Sequence, residues 1–224
     1  MLFLDKELPK NIKTRTREIY RAFLGKTPDN LSVIVSSNLK DIPEISKRIN
    51  NKLNKIIDPK LTGKKRQRAK EKVLGRMMSV DESAFFPDSN IVIVNTDTPK
   101  QTPGILAHEI THAEHQKKLG LYYDLLRSGW IIPEGVGVAG TLAGAIMKNK
   151  KMRNLGLMVL IPSALANIAA PIIDEYITSK RGKRSAGLSK KEGKVLKDGL
   201  NSYLSAGGKK LTRMAATMPL TLLL

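Results

Sequence analysis

All three histidines of the chain fall within one stretch of eight residues, His108-Glu109-Ile110-Thr111-His112-Ala113-Glu114-His115. On a helix, residues four apart stand about 40° apart around the axis, so His108 and His112 present their imidazoles on one face and can share a cation. Two neutral imidazoles hold Zn2+ without quenching its Lewis acidity, and the ion lowers the pKa of a bound water to about 7. Glu109 sits beside that face, where its carboxylate can take a proton from the water as it attacks an amide carbonyl. With histidine this scarce, a chance His-Glu-x-x-His is expected on the order of 0.002 times in such a chain. The motif therefore points to metal-assisted hydrolysis.

A catalytic zinc with one open position needs a third protein ligand. His115 lies seven residues after His108, about 10 Å along a straight helix and too far for the same ion. It reads as a residue behind the site or on the surface. A longer metzincin motif would need a histidine ten residues after the first, and Lys118 stands there. The third ligand must then be a carboxylate from another segment. Glu175, in Pro171-Ile-Ile-Asp174-Glu175-Tyr176, is the leading candidate, with Asp174 as its substitute. Glu134 is the rival, a lone acid in an apolar run, although Pro133 and Gly135 beside it suggest a turn.

The elements that must position these residues can be read from spacing. Ile12, Ile19, Ala22 and Phe23 predict an amphipathic helix over residues 11–24, and the β-branched run 31–37 predicts a strand. Helical period returns over residues 42–57. The charge run Lys64 to Lys72 reads as a solvated helix face or an anion-binding patch. Ile91 to Asn95 predicts a strand paired with residues 77–86 as a hairpin. The motif helix should start near Pro103 and stop at Gly120.

Two apolar stretches follow. Residues 130–147 are glycine-rich with Glu134 as their one acid, and residues 155–173 carry no charge over 19 residues. Each approaches the roughly 20 residues that cross a bilayer core. The basic loop Lys148 to Arg153 joins them, and Gly140-x-x-x-Gly144 would let two helices approach closely. A helix is expected over residues 189–204, followed by an apolar tail, Leu211 to Leu224. A membrane hairpin keeps both its ends on one side, as an ion shared by His108 and Glu175 demands.

The chain has 224 residues, with 39 Lys+Arg against 20 Asp+Glu and a net charge of +19. Its 41% hydrophobic content excludes a disordered chain. The absence of cysteine excludes disulfides, thiolate zinc sites and a cysteine nucleophile. Aromatics at 4% argue against a base-stacking platform. The positive excess calls for an anionic partner. Much of it lies in the first 75 residues and beside the apolar pair, where anionic headgroups would attract each cation by about 1 kcal/mol. The rival reading is a basic nucleic-acid- or membrane-associated structural or virion protein with a vestigial metal site.

The order of a strand, His108-Glu109-x-x-His112, two apolar segments, Glu175-Tyr176-x-x-Ser179 and a basic helix resembles the integral-membrane gluzincin metallopeptidases. These include HtpX-like and CAAX-prenyl-protease-like peptidases and, more closely, the YugP-like neutral zinc metallopeptidases. The likeness covers about residues 77–215; residues 1–75 match nothing in it. It implies an α+β, mainly helical fold with a gluzincin-like core: a short β-hairpin with an edge strand, the motif helix, an apolar transmembrane hairpin and a glutamate-bearing helix. The implied organisation is a basic N-terminal region (1–76), the edge hairpin and motif helix (77–128), the apolar hairpin (129–174) and the third-ligand and C-terminal helices (175–224).

The same resemblance implies a zinc-dependent endopeptidase in a membrane, the bacterial cell membrane being the expected one, with Glu175 as third ligand. A soluble form with its apolar helices buried stands beside that reading. Ser83 to Pro87 with Ile91 to Asn95 is similar to the family's substrate-flanking hairpin, so the strand at residues 91–95 is expected to hold an extended peptide of a protein substrate. Thr178 stands where the family has alanine, and Ser179 replaces the aspartate of the HtpX-like type. No histidine follows to steady an oxyanion, which leaves zinc, Tyr176, Tyr203 or Arg213 for that task.

Overall fold

Two runs of β-branched residues, flanked by two three-residue strands rich in Leu and Phe, build one mixed sheet. The computed structural model describes residues 1–36, 62–68, 83–87, 90–95, 98–123, 129 and 131–223, with side chains to residue 212 apart from Asn95. Strands β1 (Leu2–Leu4), β2 (Ser32–Ser36), β3 (Ala84–Phe86) and β4 (Ile91–Asn95) lie in the order β1-β2-β4-β3. The first three in that order are parallel, and β3 runs antiparallel to β4 with Phe86 opposite Ile91. Val33 and Val35 of β2 face Val92 and Val94 of β4 in register, and all four are fully buried.

The expected pairing of β3 with β4 is present, but the strand at residues 91–95 is not an edge. It is paired with β2 on one side and β3 on the other. Its apolar residues run consecutively rather than alternating, as in a central strand buried on both faces. Among the described residues the edges are β1 and β3. Strand β1 has no counterpart in the sequence reading, because three residues carry no usable period. The helix expected over 42–57, residues 69–72 of the basic run and residues 77–82 of the hairpin lie outside the described residues; residues 64–68 of the run are helical and mostly exposed, as on a solvated helix face.

The chain forms two compact units. The first comprises Met1–Lys117 and Arg181–Leu196. Here helix α1 (Lys10–Ala22) buries Ile12, Thr16 and Ile19 along one stripe, as its period predicts. Ile19 and Phe23 join the sheet valines in one core with Leu106, Ile110 and Ala113 of helix α2 (Thr102–Leu119). Glycine at position 120 takes φ 51 and ends α2 where expected.

The second unit comprises Lys118–Lys180 and Lys197–Leu224. It holds helix α3 (Ile131–Ile146), most of the 36-residue helix α4 (Lys150–Ser185) and most of helix α5 (Lys194–Leu223). Glycine lets α3 and α4 touch: a Cβ at Gly137 would come within 2.5 Å of Leu160, and one at Gly144 within 2.3 Å of Arg153. Among the described residues helix α4 alone is long and apolar enough to cross a membrane, and only 22% of its most apolar window is buried. At 16 residues α3 is shorter than a full span. The C-terminal helix starts later than residue 189 and absorbs the apolar tail. Residues 189–192 form a reciprocal cap: the Ser189 N–H donates to Glu192 Oε2 at 2.8 Å, and the Glu192 N–H donates to Ser189 Oγ at 3.3 Å.

Within the first unit Arg15 ties α1 to this cap. Its Nε donates to Glu192 Oε1 at 2.8 Å, and Nη2 donates to the carbonyls of Ala186 and Gly187 at 3.1 and 2.9 Å. Burial alone would raise the Glu192 carboxyl pKa, but the hydrogen bonds from Arg15 and Ser189 outweigh it and hold the group below its ordinary 4.5. A carboxylate with a depressed folded-state pKa stabilises the fold above its unfolded pKa, and that contribution disappears as pH falls through the folded value. Glu192→Gln is expected to cost about 1 kcal/mol near neutrality, allowing for partial exposure. It should also flatten the loss of stability between about pH 5 and 3, measurable by denaturant titration across that range.

Candidate metal centre

Helix α2 is gripped on more than one side, which explains why it lacks an ordinary apolar stripe. Counting about 100° per residue, Leu106, Ile110 and Ala113 form one face, and they lie in the core with the sheet valines. About a quarter-turn away, Gly104, Ala107, Thr111 and Glu114 form a second face. In the same unit that face meets the segment 181–195. A Cβ on Gly104 would come within 2.3 Å of the Glu192 carbonyl oxygen, and one on Gly182 within 2.9 Å of the Ala107 carbonyl oxygen. Glu114, fully buried, accepts two hydrogen bonds from Arg181, from Nε at 2.9 Å and Nη2 at 2.7 Å.

The remaining side of the helix carries the histidines. His108 and His112 bring their Nε2 atoms within 3.1 Å, with ring planes nearly perpendicular at 87°. Two nitrogens bound to one tetrahedral zinc at about 2.0–2.1 Å would stand about 3.4 Å apart, so the pair has chelating separation. His112 and Glu109 are buried and His108 is half-buried. His115 is buried as well, which removes the surface alternative and leaves its reading as a residue behind the site; it lies two helical turns beyond His108.

Glu175 is 4% exposed and lies well inside α4 rather than at a helix start. It shares a face of that helix with Thr178 and Gly182, three and seven residues further on. The small residue at Gly182 allows close approach on that face, and Thr178 is fully buried. One ligand atom each from His108, His112 and Glu175 lies within 4.8 Å of the other two, a group able to hold a metal ion. A neutral imidazole pair with one carboxylate suits zinc and leaves a fourth position for water or substrate.

The two rival acids have other partners. Asp174 accepts from the Tyr123 hydroxyl at 3.0 Å and from Thr178 Oγ1 at 3.4 Å. Glu134 accepts from Asn167 Nδ2 at 2.6 Å; it sits in the first turn of α3, not in the turn expected from Pro133 and Gly135. Tyr176 and Tyr203, expected near the reacting carbonyl, are 50% and 42% exposed, and the Arg213 side chain lies outside the described residues.

No family model, curated protein or solved structure matches the chain. The functional reading therefore rests on the chemistry of these side chains. Sequence reasoning missed the Glu114–Arg181 pair. A buried glutamate inside a motif rich in polar residues has no signature that separates it from a solvated one.

The close approach at Gly182 can be tested directly. Gly182→Val places a side chain against a main-chain oxygen that cannot move aside, and should destabilise the protein by about 1–3 kcal/mol. Gly199→Ala, in α5 with open space around it, should be neutral or gain up to about 1 kcal/mol. Thermal unfolding of the two variants beside the parent checks both.

Proposed function

We propose that the chain is a zinc-dependent metalloendopeptidase of the gluzincin type, held in a membrane by its apolar hairpin. The observation that carries the reading is the mutual approach of His108, His112 and Glu175, three donors drawn from two helices far apart in sequence. When bound, zinc would supply the Lewis acidity that polarises a carbonyl and brings a water's pKa to about 7.

The chain's own residues supply the rest. His108 and His112 hold the cation as neutral imidazoles, which preserves its charge, and Glu175 adds the single anionic ligand. Glu109 follows His108 directly and is 9% exposed, placed to accept a proton from the attacking water and return it to the departing amine. Its burial keeps bulk water from competing for that proton. Strand β3, paired on one side by β4, offers the edge along which an extended peptide could add as a further strand. This replaces the strand at residues 91–95 in that role.

The outward apolar surface of α4 supports the membrane location, since a core helix of similar composition would be mostly covered. Glu109→Ala should retain zinc while peptide hydrolysis falls by at least the 10^2–10^4-fold typical of losing a general base. Glu175→Ala should weaken zinc binding at least tenfold, whereas Asp174→Ala and Glu134→Ala should not. Chelator competition and a quenched-peptide assay on the purified protein read both. Undiminished hydrolysis by Glu109→Ala would rule out this mechanism.

A further inference from the structure

We propose that the tip of the α3–α4 hairpin is a binding site for the phosphates of anionic phospholipid headgroups, an inference that rests on the membrane reading above. The two helices run antiparallel and are locked by glycine contacts at Gly137 with Leu160, Gly140 with Gly156 and Gly144 with Arg153. Their large side chains point away from the seam: Ile132, Val136, Ile146, Leu155 and Met158 are each more than 60% exposed. At the end of this apolar rod the chain turns through Lys148, which adopts φ 52, and carries Lys148, Lys150, Lys151 and Arg153 within six residues.

These cations have no acidic neighbour along the hairpin, since no Asp or Glu occurs between Glu134 and Asp174. Arg153 is held over Gly144, and its Nε is buried without a hydrogen-bond partner among the described residues. Holding the stem over Gly144 restricts where the guanidinium can lie, and the planar fork of Arg suits a phosphate oxygen pair. The tip is also the N-terminus of α4, whose dipole favours an anion. Asn149 Oδ1 accepts from the Met152 N–H at 3.1 Å, which holds the first turn in place.

The apolar flanks select the source of the phosphate. A nucleic acid offers charge but nothing to cover exposed aliphatic side chains, whereas a bilayer offers both in the order the hairpin presents them. Helix α3 rises about 24 Å, somewhat less than the ~30 Å hydrocarbon core. Long Lys and Arg side chains at its end make up such a difference by extending to headgroup level.

The experiment is flotation of the purified protein with vesicles of phosphatidylcholine alone or with added phosphatidylglycerol. The quadruple variant K148Q/K150Q/K151Q/R153Q is compared with K10Q/R17Q/K190Q/K191Q, which removes four exposed cations from the other unit. The parent and the control should bind phosphatidylglycerol vesicles at least tenfold more strongly than phosphatidylcholine vesicles, and the tip variant should lose most of that gain. The triple variant K148Q/K150Q/K151Q, which leaves the Arg153 packing intact, should lose part of it and so separates charge loss from misfolding. Equal losses in tip and control variants, or full retention by the tip variant, would overturn the proposal. In that case continued flotation with phosphatidylcholine would leave the membrane reading standing, whereas no flotation with either vesicle would overturn both.

Discussion

The chemistry proposed for this protein depends on one helix being held from several directions at once. Helix periodicity brings two imidazoles four residues apart to a separation of 3.1 Å, and holding the helix against rolling fixes the direction in which that pair faces. Leu106, Ile110 and Ala113 fix one side of that helix in the sheet core, while Gly104, Ala107 and Thr111 fix another through contacts too tight for larger residues. The Glu114–Arg181 pair adds a directional bond on the same side. A buried carboxylate is costly to desolvate, so this pair contributes less to net stability than to a single arrangement of the two segments it joins. The histidines then emerge on the side left over.

The same logic accounts for the distribution of polar residues elsewhere. Arg15 reaches Glu192 and two main-chain carbonyls, joining α1 to the turn before α5 within the first unit. In the second unit, Asn167 and Glu134 pair within an otherwise apolar hairpin, as expected where an unpaired carboxylate would face a low-dielectric surrounding. At the hairpin tip the cations stand at the end of an exposed apolar rod, the arrangement on which the proposed headgroup site rests.

The candidate metal cluster was legible in part, because metal chemistry restricts both residue type and spacing. His108, Glu109 and His112 follow from a four-residue period, whereas residue types alone left Glu175 beside Asp174 and Glu134, and it is Glu175 that groups with the histidines. Helices α1 and α2 were legible from period and from terminators such as Gly120. The central position of β4 was not read correctly, because Ile91 to Val94 gives a continuous apolar run that fits an edge hairpin strand or a buried parallel strand equally well. Strand β1 was too short to carry a pattern. Helix α4 continues through Pro162 and Pro171, so the apolar stretch 155–173 and Glu175 lie on one helix.

Elemental zinc analysis of the purified protein beside His112→Ala tests the central claim most directly. A metal centre built from His108, His112 and Glu175 predicts about one zinc per chain in the parent after desalting, and loss of that zinc in His112→Ala. Equal zinc in the two proteins, or none in either after reconstitution, would contradict it.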